Sequence, residues 1–161
     1  MKPEIRIIGV GNDFRGDDAV GLQVARSIRE MDLPQVAVLE TGGEAGRLME
    51  LWQDPTPVIL IDAMHSGVPP GTIYRFAAGV EPIPAGYFPS TSTHSLGVVE
   101  SIELARVLRQ LPSRLVVYGI EGESFEAGAP LSPKVARAAE EVVRRVLKEL
   151  KDWVNLVFPS D

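Results

Sequence analysis

Apolar positions along the chain fall into two alternating periods. Short runs rich in β-branched residues, Arg6-Ile7-Ile8-Gly9-Val10, Val36-Ala37-Val38-Leu39, Val58-Ile59-Leu60-Ile61 and Leu115-Val116-Val117-Tyr118, are bounded by Gly, Pro or acidic residues. They read as buried parallel strands. Between them apolar residues step by three or four, first Val20, Val24, Ile28 and Met31, then Val98, Ile102, Ala105 and Leu108. That is the spacing of one helix face. The clearest helix opens with Ser132 as N-cap and Pro133 at the first helical position, and carries Val135, Ala139, Val142, Val146 and Leu150 on one side. A shorter helix is expected over 45–52. Strands alternating with helices predict an α/β protein: three αβα layers around a mostly parallel, twisted central sheet of about five strands, flanked by helices on both faces. Thr72-Ile73-Tyr74-Arg75-Phe76, fed by the turn Pro69-Pro70-Gly71, predicts the additional strand, at an edge, its direction open and antiparallel one option. Residues 78–93 contain Pro82, Pro84 and Pro89 and end in Ser90-Thr91-Ser92-Thr93, which suits neither a helix nor a central strand. A long loop of that kind is expected to be functional. The apolar terminal stretch 154–161 is expected to dock on the body or on a partner.

Composition narrows the function classes. A chain of 161 residues favours one domain over 1–161, since separate cores each need ~100 to 200 residues. Sixteen basic against 22 acidic residues give a net charge of −6, with no concentrated basic tract. A general nucleic-acid binder is therefore not expected, because phosphate affinity comes from clustered Lys and Arg. With no cysteine, disulfides, thiolate zinc sites, iron-sulfur ligation and cysteine-protease chemistry are excluded together. Any metal must then take oxygen or nitrogen ligands. Apolar runs fall short of the ~18 residues of a membrane span, and Met1-Lys2-Pro3-Glu4 lacks a secretory apolar core. The expectation is a soluble cytoplasmic protein without a membrane partner.

Chemistry is sought just beyond the carboxyl ends of the strands, where open α/β sheets bind ligands. Gly9 to Gly21 runs from the first strand into the first helix. Phe14 stands at the third glycine of a dinucleotide fingerprint, and the Lys-Ser/Thr of a phosphate loop is missing. Asp17 reads as the cap of that helix, whereas Asp18 is a candidate site residue. Asp62 follows an apolar strand, where an ionised group needs a partner; it is either a ligand or the acceptor in an Asx-turn closed by Met64, His65 or Ser66. The chain holds only two histidines, His65 and His94. His65 reads as a solvated loop residue, and His94 precedes the helix that begins near Val98. Arg15 pairs by default with Asp13 or Asp17, the other option being a substrate carboxylate. The loop 121–126 reads as a solvated acidic segment. If the strands adjoin, Asp18, Asp62 and His94 converge at one rim of the sheet. Two carboxylates and an imidazole suit a divalent ion such as zinc or nickel, or general acid-base work without a permanent metal.

Four motifs in order, Gly9-x-Gly11-Asn12 with Asp17-Asp18-x-x-Gly21, Thr41-Gly42-Gly43-x-x-Gly46, Ile61-Asp62-Ala63, and Thr93-His94-x-x-Gly97, resemble the nickel-iron hydrogenase maturation endopeptidases over nearly the whole chain. The resemblance implies a phosphorylase/hydrolase-like sheet and an aspartic-type endopeptidase. It implies removal of the C-terminal extension of a hydrogenase large-subunit precursor after nickel insertion. By position, it implies that Asp18, Asp62 and His94 are both the catalytic and the metal-contacting residues, with Gly42-Gly43 helping to recognise the nickel-loaded substrate. The nickel belongs to the precursor, and no tightly bound organic cofactor is expected. Asp18 stands where some relatives carry Glu, a shorter arm with the same charge. No nucleophile elbow surrounds Ser90 to Thr93. Two other readings are a metal-binding maturation chaperone that cleaves nothing and, more remotely, a peptidyl-tRNA hydrolase-like enzyme; the acidic surface disfavours the latter.

Overall fold

A computed structural model describes residues 4–42, 45–52, 56–88 and 97–157. Five strands, β1 (Ile5–Val10), β2 (Val36–Thr41), β3 (Pro57–Met64), β4 (Ile73–Phe76) and β5 (Arg114–Glu121), form one sheet in the order β2-β1-β3-β5-β4. Pairing is parallel throughout except that β4 runs antiparallel to β5 at the edge. The expected three-layer architecture is present, and the open question about the additional strand is resolved in favour of antiparallel pairing.

Alternation along the strands sorts the core into two layers. Ile5, Ile7, Ile59, Ile61, Ala63, Val116, Tyr118 and Ile120 pack with α1 (Val20–Arg29) and α4 (Pro133–Val157). Ile8, Val10, Val58, Leu60, Leu115 and Val117 pack with α2 (Ala45–Leu51) and α3 (Val98–Val107). The central strand β3 is buried along its whole length, which is why its apolar run is continuous rather than alternating.

Two expectations are corrected and one left open is partly decided. First, β3 does not stop at Ile61. Its pairing with β5 continues from Asp62↔Gly119 through Met64↔Glu121, so Asp62 lies within the strand. Second, α4 extends to Val157 and Val154 packs against the α1 and α4 layer; that part of the terminal stretch docks on the body, while 158–161 lie outside the described residues. Third, Asp17 makes no capping bond: a 3-10 turn, Gly16–Ala19, precedes α1, and neither element has a side-chain N-cap.

One glycine sets how the first helix meets the sheet. A Cβ on Gly21 would fall on the carbonyl oxygens of Val10 and Ile61, so only glycine lets the start of α1 lie directly across the ends of β1 and β3. Among the described residues no helix is long and apolar enough to cross a membrane.

Candidate functional site

From β1 the chain moves outward to β2, then crosses back to β3 on the other side. The strand order therefore reverses between β1 and β3, and ligand crevices of open α/β sheets open at such a switch point. Here β1 pairs with β3 only as far as Gly9↔Ile61. Beyond that register β3 continues beside β5 alone, and the turn Gly16–Ala19 comes into the gap.

Asp62 is the first β3 residue past that register. Only 8% of its surface is exposed. It shares a strand face with Val58 and Leu60, the face covered by α2 and α3. One carboxyl oxygen, Oδ1, accepts a 2.8 Å hydrogen bond from the backbone N–H of Ala63. The alternative of an Asx-turn with residues 64–66 is not realised: Met64 lies within the strand, the His65 N–H donates to the Tyr87 carbonyl and the Ser66 N–H to Glu121. Burial, then the negative charge of Asp18, push the Asp62 carboxyl well above the usual carboxylate range, and the Ala63 bond offsets only part of this. Asp18, half-buried in the 3-10 turn, is also raised by burial, while the positive charge of Arg15 pulls it back. The two acids thus sit close enough for one to oppose ionisation of the other, and among the described residues neither has a cationic hydrogen-bond partner.

Arg15 pairs with neither Asp13 nor Asp17 among the described residues, its charge acting instead on Asp18. Asp13 is held bidentately by Arg26, at 2.8 Å from each nitrogen, and Arg26 and Arg29 both reach Glu40 on β2. Asp17 is wholly buried and accepts four bonds: from the N–H groups of Glu123, Ser124 and Ser132, and from the Ser132 hydroxyl. Burial alone would raise its pKa, but those donors outweigh burial and hold it below the ordinary value. Ser132 does stand at the start of α4, accepting the Ala136 N–H through its carbonyl, yet its hydroxyl donates to Asp17.

The acidic segment after β5 is likewise not uniformly solvated. Glu121 is 1% exposed and its carboxylate accepts from the Ser66 N–H, the Ser66 hydroxyl and the Gly67 N–H, fixing the turn that follows β3. Glu123 and Glu126 are exposed. His65 is exposed, as expected, and its ring stacks on Phe125 with centroids 5.0 Å apart. Removing one of the buried carboxylate's charged bonds costs about 1.5–3 kcal/mol. Glu121→Gln is accordingly expected to lower the unfolding free energy by about that amount, read from urea denaturation at neutral pH.

His94 lies outside the described residues, as do Gly43 and 89–96. The described chain resumes at Gly97, the N-cap of α3, on the layer that Asp62 faces. Among the described residues no group of three His, Cys, Asp or Glu side chains is arranged to hold a metal ion; Asp18 and Asp62 supply two oxygen donors toward such a set.

Fold and crevice together define a doubly wound α/β protein with a carboxyl pair at its switch point. Comparison with known proteins is more specific. The family model described as hydrogenase maturation protease matches residues 22–149, and the chain belongs to that family, which makes it a peptidase. It is 31% identical to a putative hydrogenase maturation protease of Methanocaldococcus jannaschii, covering 93% of this chain and 98% of that protein. It is 30% identical to the hydrogenase 2 maturation protease of Escherichia coli, covering 92% and 91%. The crystal structure of a nickel-iron hydrogenase maturation protease from Thermococcus kodakarensis superposes with a TM-score of 0.68 at 28% identity, covering 93% and 94%.

Proposed function

We propose that this chain, acting as one domain in the cytoplasm, is the endopeptidase that removes the C-terminal extension of a nickel-iron hydrogenase large-subunit precursor once nickel is in place. The precursor's nickel docks among Asp18, Asp62 and His94, and the docked ion positions the scissile bond for attack by water. The observation that carries this reading is the Asp62 carboxyl: buried, opposed by a second acid, and among the described residues hydrogen-bonded only to the next backbone N–H. A divalent cation arriving between the two acids removes both penalties at once, since it stabilises the ionised form that burial and repulsion disfavour. Oxygen and imidazole donors suit nickel as a borderline ion. Metal-free precursor offers no such gain, so in this reading cleavage follows only after metal insertion. Holding the bond in place can supply ~7 to 11 kcal/mol of the barrier.

The test incubates the purified chain with nickel-loaded and with metal-free precursor, and reads the large-subunit mass by mass spectrometry. Nickel-loaded precursor is expected to shorten and metal-free precursor to stay intact. His94→Ala is expected to slow shortening by about 10²- to 10⁴-fold. Normal processing by His94→Ala defeats the three-residue assignment. A precursor that is bound by the wild type but never cut defeats the cleavage reading in favour of a metal-binding chaperone.

A further inference from the structure

Asp17 and Asp18 are consecutive residues of one four-residue 3-10 turn, yet their surroundings are opposite. Asp18 is half-buried beside Asp62 without a hydrogen-bond donor among the described residues, whereas Asp17 has donors on both oxygens. A 3-10 turn this short has little hydrogen bonding of its own, so its position must be imposed from outside. One end is fixed where Gly21 lies against the carbonyls of Val10 and Ile61. At the other end Asp17 accepts from Ser132 N–H at 2.7 Å, Glu123 N–H at 2.8 Å, the Ser132 hydroxyl at 2.8 Å and Ser124 N–H at 2.9 Å. Its own N–H donates to the Ser124 carbonyl at 2.8 Å. Bonds to an ionised acceptor are about twice as strong as neutral ones, and these tie the turn to the segment after β5 and to the first turn of α4, 106 to 115 residues further along the chain.

We propose that Asp17 is a positioning residue: its carboxylate locks the turn Gly16–Ala19 to the segment after β5 and the start of α4, so that Asp18 stays beside Asp62 despite their mutual repulsion. This rests on the reading that Asp18 and Asp62 together receive the precursor's nickel. In that reading Asp17 touches neither metal nor peptide, and its loss affects turnover through the placement of Asp18.

Three variants of the full chain test it. A misplacement of about 1 Å costs about 100-fold in rate, so folded Asp17→Asn is expected to lower kcat for nickel-loaded precursor by about that factor. Ser132→Ala keeps the Asp17 charge and removes one of its four bonds; kcat is expected to fall severalfold with KM little changed. Tyr118→Phe is the control, because it removes a part-buried hydroxyl bond to Glu149 outside the crevice and should leave kcat unaltered while lowering stability. In parallel, the side-chain carboxyl carbon resonances of Asp18 and Asp62 are recorded in precursor-free protein, where Ser132→Ala is expected to shift them and Tyr118→Phe is not. Unchanged resonances in Ser132→Ala, or wild-type kcat in folded Asp17→Asn, overturn the proposal. If Asp17→Asn does not fold, the kcat and resonances of Ser132→Ala decide. If the wild type itself cuts no precursor, the functional reading fails, and the resonances alone still judge whether Asp17 places Asp18.

Discussion

Asp62→Asn is expected to lose processing and gain stability in the same molecule. The amide keeps the shape of the side chain and the acceptor for the Ala63 N–H, but it removes a carboxyl whose ionised form is disfavoured by burial and by Asp18. Without that charge, nickel-loaded precursor loses a ligand and a potential general base, so the processing rate should fall by about 10²- to 10⁴-fold. Stability moves the other way. A carboxyl raised in the folded state keeps its proton where the unfolded chain has already lost it, so its contribution is most favourable below about pH 4, the unfolded value, and falls as pH rises through the folded value. As pH rises from about 4 towards neutrality the wild type progressively loses that contribution, whereas the Asp62→Asn variant, with nothing to titrate at this position, undergoes no such loss. Each kcal/mol so recovered raises Tm by about 2–4 °C for a chain of this size. Asp17 has the opposite sign: its lowered pKa contributes stability above about pH 4 that is lost as pH falls through the folded value. Thermal melts across the range should show Asp62→Asn removing the decline on the neutral side while leaving the acid-side loss in place. A lower Tm near pH 7 with an unchanged pH slope would contradict the account of Asp62.

The contrast between those two acids also marks what a sequence reveals. Strand and helix periods were legible because burial on the sheet is continuous: Val58 to Ile61 could only be a covered strand, and Val135 to Leu150 only a helix face. The position of the crevice was legible in outline, since ligands bind near the carboxyl ends of parallel strands, and Asp18 and Asp62 both lie beyond the point where β1 and β3 stop pairing. What the chain alone does not show is a partner over 100 residues away. Asp17 and Asp18 are the same residue type side by side, and only the arrival of Glu123, Ser124 and Ser132 turns one into an internal anchor. Glu121 is a similar case: it stands at the head of an acidic stretch, and becomes an interior group because the turn after β3 brings Ser66 and Gly67 to it. Asp62 looked like the residue that ends its strand because a carboxylate follows four apolar residues. The strand persists because β5 keeps pairing with it through Met64↔Glu121.

Gly21→Ala should cost more than any surface substitution in this chain, although it places a better helix former in the first turn of α1. The propensity gain is about 1 kcal/mol. Against it stands a methyl that would overlap the backbone oxygens of Val10 and Ile61, which cannot rotate aside as a side chain can. Overpacking typically costs about 1–3 kcal/mol, occasionally more, and with rigid carbonyls on two strands the upper end applies, leaving a net loss of about 2 kcal/mol. That corresponds to a Tm lower by about 4–8 °C. The functional loss should exceed the stability loss, because the relief available is for the start of α1 to lift away from β1 and β3. The turn Gly16–Ala19 would lift with it, carrying Asp18 away from Asp62. Processing of nickel-loaded precursor, measured below the lowered Tm where the variant is fully folded, should therefore fall by ~10²-fold, as for a displacement of about 1 Å. A folded Gly21→Ala protein with wild-type turnover would show that the register of α1 on the sheet does not govern the crevice.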